Sequence, residues 1–216
     1  MVALAACGSR SEPAPQSNAS PAPAQPAAKT AGRPRVVALG DSLTAGLGLP
    51  PGEAYPALLQ QRIDKEGLNY EVVNAGVSGD TSAGGLSRLD WALDGDVRVL
   101  VVALGGNDAL RALPPDELRQ NLAAIIERAR AKQITVVLAG MEAPRNFGRD
   151  YVVRFHQVYP DLARKYNVAL VPFLLQDVAG IDRLNQRDGI HPTAEGAEIV
   201  ANTIWSVLKP LLTAHS

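Results

Sequence analysis

The sequence predicts an α/β fold in which a five-stranded parallel sheet lies between two layers of helices. Three observations carry that expectation. Short apolar runs around 36–39, 70–74, 98–104, 134–139 and 168–172 suit strands that are covered on both faces. Stretches with apolar residues at helical spacing separate them. Glycine-bearing polar turns close the first three runs, as expected where a strand hands over to a helix. Strands alternating with helices imply βαβ units with right-handed crossovers, and therefore a three-layer α/β/α sandwich.

Taken in order, the first strand is expected over Arg35–Gly40, with Gly40 freeing the backbone for a sharp turn into Asp41 and Ser42. Tyr55, Leu58, Leu59 and Ile63 then mark a helix over Ala54–Glu66, stopped by Gly67. The second strand, Tyr70–Asn74, ends in the turn Ala75–Ser82, and a single helix follows to about Leu93. The third strand, Arg98–Leu104, is closed by Gly105-Gly106-Asn107-Asp108. Pro114-Pro115-Asp116-Glu117 opens a helix with Leu118, Leu122, Ile125, Ile126 and Ala129 on one face. The fourth strand is Ile134–Ala139, followed by a long loop from Gly140 to Asp150 and a helix through Tyr166. A short fifth strand covers Val168–Pro172, and a last helix starts at Pro192.

Composition narrows the function. Among 216 residues, 21 Lys+Arg nearly balance 22 Asp+Glu, and no basic stripe is visible. A nucleic-acid partner, which needs phosphate neutralisation, is not expected. The single cysteine, Cys7, excludes an intramolecular disulfide and a cysteine-based metal cluster. It stands in Leu4-Ala5-Ala6-Cys7-Gly8, which resembles the lipobox of bacterial lipoproteins, behind a leader that is short for a secretory signal. Residues 8–33 are rich in Pro, Ala, Ser and Gln and read as a linker. The expected organisation is a leader at 1–7, a linker at 8–33 and one folded domain at 34–216.

The polar turns after the first three strands share the carboxyl edge of the sheet, where open α/β sheets bind ligands. Ser42 is the nucleophile candidate there, and a base follows by elimination among three histidines. His215 is at the C-terminus, and His156 sits in a helical stretch where a surface or packing role is the plainer reading. His191 lies in Asp188-Gly189-Ile190-His191-Pro192, where Asp188 can reach back to the imidazole and set its tautomer. Ser42, His191 and Asp188 then have the nucleophile, base and orienter roles of acyl transfer. The amides of Ser42 and Gly79 and the side chain of Asn107 are candidate oxyanion donors. Each has a bland alternative: a turn serine, a turn glycine, a helix cap, a carboxylate binding backbone amides.

These residues resemble a known family. Gly40-Asp41-Ser42-Leu43, Ser78-Gly79-Asp80-Thr81, Gly105-Gly106-Asn107-Asp108 and Asp188–Pro192 are similar, in order and spacing, to the four blocks of the SGNH, or GDSL, hydrolases. Asn74–Ser82 and Asn146–Tyr151 look like the bacterial periplasmic thioesterase I, arylesterase and lysophospholipase type. The resemblance implies a flavodoxin-like sheet, a Ser42 nucleophile, an Asp188 and His191 pair, Gly79 and Asn107 as oxyanion donors, and no metal or cofactor. It also implies a monomeric, exported, periplasmic esterase acting on small esters or thioesters with an acyl chain; the lipobox and linker depart from the family pattern, and it is they that add a lipid anchor at Cys7 as an expectation. By analogy, Leu110 and Leu113 after the third strand, Pro144 and Phe147 after the fourth, and Ile190 would line the acyl site.

Two rival functions share the residues: a carbohydrate or peptidoglycan O-acetylesterase on the same fold, and a non-catalytic lipoprotein binding module. Other readings fit less well. The G-x-S-x-G elbow of ordinary α/β-hydrolases is absent, since Leu43-Thr44 follows Ser42. Gly46-Leu47-Gly48 is no dinucleotide site, because Pro50-Pro51 interrupts the helix start that would hold a pyrophosphate.

Overall fold

The chain divides into two units, Met1–Ala31 and Gly32–Ser216. The computed structural model describes residues 1–3 and 32–214, so Cys7, most of the linker and His215 lie outside the described residues. The second unit holds one parallel sheet of β1 (Arg35–Gly40), β2 (Glu71–Gly76), β3 (Val97–Ala103), β4 (Thr135–Ala139) and β5 (Ala169–Val171), in the order β2-β1-β3-β4-β5. This is the flavodoxin-like order, whose direction of winding reverses beside β1 and opens a crevice at the carboxyl edge. Strand register sets the height of that crevice's walls. Gly40 is level with Gly76 on one side and Ala103 on the other, so the turns after β1, β2 and β3 leave the sheet together.

Residues 36–39, 99–102 and 136–139 are buried, as continuous apolar runs in a covered parallel sheet should be. On one face α2 (Tyr55–Lys65) packs against α8 (Ala194–Thr213); on the other, α6 (Pro115–Ala131) packs against both α3 (Ser82–Ser87) and α7 (Arg149–Tyr166). The predicted face of α6 is the buried one, through Leu118, Leu122, Ile125, Ile126 and Ala129. Among the described residues no helix is long and apolar enough to cross a membrane.

Four local expectations are corrected. The helix predicted over 82–93 is two pieces, α3 and α4 (Leu89–Ala92), separated by Arg88 at φ −106°, ψ 10°. The turns after β1 and β3 wind into the short helices α1 (Ser42–Ala45) and α5 (Gly106–Leu110). The last helix begins at Ala194, capped by Thr193, whose hydroxyl accepts from the Gly196 amide at 3.3 Å. Pro192 is instead paired with Asn185 in an antiparallel bridge, so His191 sits on a closed loop and not at a helix start. Gly40, finally, has no positive φ. A Cβ there would lie 2.8 Å from the Ala103 carbonyl and 1.9 Å from Thr44 Oγ1, so glycine serves the close approach of β1 to β3 and to the turn that follows it.

Candidate active site

The site is built from the turns at the carboxyl edge. Asp41 caps α1, its Oδ1 accepting from the Leu43 amide at 3.0 Å, and this places Ser42 at the helix start with its hydroxyl facing the crevice. The candidate base, His191, comes from the C-terminal part of the domain. Between Leu184 and Thr193 the chain doubles back: the Thr193 amide donates to the Leu184 carbonyl at 2.9 Å and the Gln186 amide to the His191 carbonyl at 2.7 Å. At the tip, Asp188 Oδ1 accepts from the amides of Ile190 (2.9 Å) and His191 (3.0 Å), while its Oδ2 lies 2.7 Å from His191 Nδ1. His191 Nε2 is 2.8 Å from Ser42 Oγ.

The charge on Asp188 bears on the imidazole tautomer. The His191 and Ile190 amides, and then the imidazole, hold the Asp188 carboxyl down at about 2. An ionised Asp188 accepts a hydrogen bond from Nδ1–H, which leaves Nε2 to accept from the Ser42 hydroxyl. Gln186 was not singled out in the sequence. Its Nε2 donates to the carbonyls of Leu47 (2.8 Å) and Pro192 (2.9 Å), tying the loop of the base to the loop behind the serine.

The candidate oxyanion donors stand on the neighbouring turns. Gly79 has φ +87° at the third position of the turn Val77–Asp80, closed by Asp80 N donating to Val77 O at 3.1 Å. A positive φ there is the conformation that glycine adopts without strain. Among the described residues, the amides of Ser42 and Gly79 have no protein acceptor. Asn107 Nδ2 donates to the Asp80 carbonyl at 3.0 Å and, through a longer bond of 3.3 Å, to Asp41 Oδ2. Asp108 braces the third turn from below, accepting from Ser82 N (2.8 Å) and Ser82 Oγ (2.5 Å) in a buried contact.

Residues 38–199 match the GDSL-like Lipase/Acylhydrolase family. The chain belongs to that family. It is 46% identical over 178 residues to Esterase TesA of Pseudomonas aeruginosa, covering 82% of this chain and 89% of the relative. It is 38% identical over 179 residues to the thioesterase 1/protease 1/lysophospholipase L1 of Escherichia coli K12, covering 82% and 85%. A crystal structure of TesA superposes with a TM-score of 0.79 at 44% identity, covering 82% of this chain and 99% of that one. This GDSL-like acylhydrolase is therefore a serine esterase, a hydrolase of ester bonds.

A cavity of about 360 Å³ adjoins the acylhydrolase's Ser42, Asn107 and His191, with apolar walls that include Leu110, Met141, Pro144, Phe173, Leu175 and Ile190. Leu110, Pro144 and Ile190 were expected there. Leu113 and Phe147 do not line it: the Leu113 carbonyl accepts from Tyr151 Oη at 2.9 Å, and Phe147 packs edge-on against the Tyr151 ring at 5.7 Å. They tie the two loops together from outside. His156, read as a surface or packing residue, is half exposed, and its Nδ1 lies 2.6 Å from Oε1 of Glu142, which borders the cavity.

Asp41 carries a consequence for stability. It is 2% exposed, and burial pushes its carboxyl up to about 6 from 3.8. A raised acid favours the folded state fully below its unfolded value and loses that contribution as the pH rises through its folded value. Between about pH 3.5 and pH 7.5 the folded enzyme should therefore lose on the order of 3 kcal/mol that Asp41→Asn does not lose. Thermal melts of both proteins across that range check it; parallel stability curves would contradict an ionising, buried Asp41.

Proposed function

We propose that the acylhydrolase cleaves carboxylic esters and acyl thioesters through an acyl-enzyme formed on Ser42. Ser42 Oγ attacks the carbonyl carbon while His191 Nε2 takes its proton, and Asp188 steadies the imidazolium. The oxyanion then accepts from the Ser42 and Gly79 amides and from Asn107 Nδ2, which turns from its longer bond to Asp41. Collapse expels the alcohol or thiol with the proton from His191. Water repeats the cycle on the acyl-enzyme and releases the acid. The observation that carries this reading is the unbroken relay of 2.7 and 2.8 Å from Asp188 through His191 to Ser42.

The apolar cavity supports acyl-chain substrates, and the names of the Escherichia coli relative supply the classes: thioesters and lysophospholipids. Each methylene buried in the transition state is worth ~0.8 kcal/mol, or about fourfold in kcat/KM. A series of p-nitrophenyl esters of rising acyl length should climb from acetate by about that factor per carbon until the cavity is filled. Activity confined to acetate would replace this reading with an O-acetylesterase.

The segment around Cys7 supports an exported, periplasmic enzyme tethered through a lipidated cysteine and the linker at 8–33. Expressed behind a complete secretory leader, the protein should sediment with membranes, and Cys7→Ser should release it. A parent protein found wholly in the soluble fraction would refute the anchor.

A further inference from the structure

The residue that breaks the predicted helix has a second set of contacts. Arg88 sits between α3 and α4, and its guanidinium reaches back under the crevice. Nε donates to Asp80 Oδ2 at 2.6 Å, Nη1 to the Ala75 carbonyl at 2.8 Å and Nη2 to the Gly40 carbonyl at 2.9 Å. The Arg88 and Asp80 side chains are only 18% and 19% exposed, so the pair is shielded from much of the screening that weakens surface ion pairs.

Two of the three contacts lie close to oxyanion donors, and the third, at Ala75, fixes the end of β2 that leads into the Gly79 turn. Gly40 is two residues before the Ser42 amide, and its carbonyl also accepts from Val77 N at 3.0 Å, which anchors the turn that carries Gly79. Asp80 follows Gly79 directly, and its own carbonyl is the acceptor that holds Asn107 Nδ2. One planar group thus joins the end of β1, the end of β2 and the turn on which two donors depend. Three donors in a fixed fork suit two carbonyls and a carboxylate; a lysine ammonium at the end of a flexible stem does not reproduce that geometry.

We propose that Arg88 is a positioning residue for the reaction, holding the three oxyanion donors at a common geometry through its contacts with Gly40, Ala75 and Asp80. The inference rests on the oxyanion roles given under the proposed function. An oxyanion hole works because its donors are in place before charge develops, and a displacement of about 1 Å can cost on the order of 100-fold in rate. Ground-state binding in the apolar cavity does not involve Arg88, so the effect should fall on kcat and leave KM in place.

The test compares Arg88→Lys, Arg88→Ala, Asp80→Asn and Asn107→Ala on p-nitrophenyl butyrate, with melting curves for each. Arg88→Lys should lower kcat by roughly 10- to 100-fold with KM within about twofold. Asp80→Asn, which keeps the shape and removes the charge, should move in the same direction. Guanidinium ion below denaturing concentrations should restore part of the rate of Arg88→Ala and none of that of Asn107→Ala. If Arg88→Ala does not fold, Arg88→Lys and Asp80→Asn decide. Normal kcat in both, or a loss expressed only in KM, overturns the positioning role while an impaired Asn107→Ala leaves the oxyanion reading standing. A full rate in Asn107→Ala removes that reading and the proposal with it.

Discussion

Ser42→Ala should reduce kcat for any p-nitrophenyl ester by on the order of 10⁴-fold or more, with little change in melting temperature. The rate falls because no other hydroxyl is placed 2.8 Å from His191 Nε2 among the described residues. The fold persists because the Ser42 hydroxyl has that one partner, and Asp41 caps α1 without it. Hydrolysis above about 1% of the parent rate would put the nucleophile elsewhere. A phosphonate ester adds a covalent check: it should add mass to the parent protein and none to the variant.

Asn107→Ala is the second large effect. Removing one oxyanion donor should cost on the order of 3 kcal/mol in the transition state, roughly 100- to 1,000-fold in kcat. Here the structure adds a stability term that the sequence alone did not suggest. Asn107 donates to both Asp80 O and Asp41 Oδ2, so its loss leaves a buried carboxylate with one fewer donor and should lower stability by about 1–2 kcal/mol. The two readouts separate: denaturant titration reports the lost bonds, and kcat on the folded protein reports the lost donor. An unchanged kcat would remove Asn107 from the oxyanion hole.

How much of this was legible in the sequence depends on how local the signal was. The strands were readable because burial on both faces leaves little but apolar residues in β1, β3 and β4. The crevice was readable because the carboxyl edge of a parallel sheet gathers its turns wherever they lie in the chain. Asp188 and His191 are three residues apart, so their pairing needed only a turn. Arg88 gave no such sign: an arginine inside a helical stretch reads as surface, and its targets at Gly40 and Ala75 become neighbours only when β1 and β2 pair. The start of α8 was misjudged for a related reason. Proline favours the first helical position, but Pro192 is held in a bridge to Asn185, and Thr193 takes the cap, so the helix starts at Ala194, two residues later than expected. Leu113 and Phe147 lie in the loops that were named, yet loop membership does not say which side chain turns inward.

The distance along the chain between Ser42 and His191 has a temporal meaning as well as a spatial one. They are 149 residues apart, with strands β2 to β5 made between them. The turns after β1, β2 and β3, which carry the proposed nucleophile and oxyanion donors, are all synthesised before the proposed base. On the proposed roles, a fragment that ends before the final loop cannot cut an ester: it lacks the base, and without α8, which buries Val200, Ile204, Leu208 and Leu212, one side of its core is uncovered.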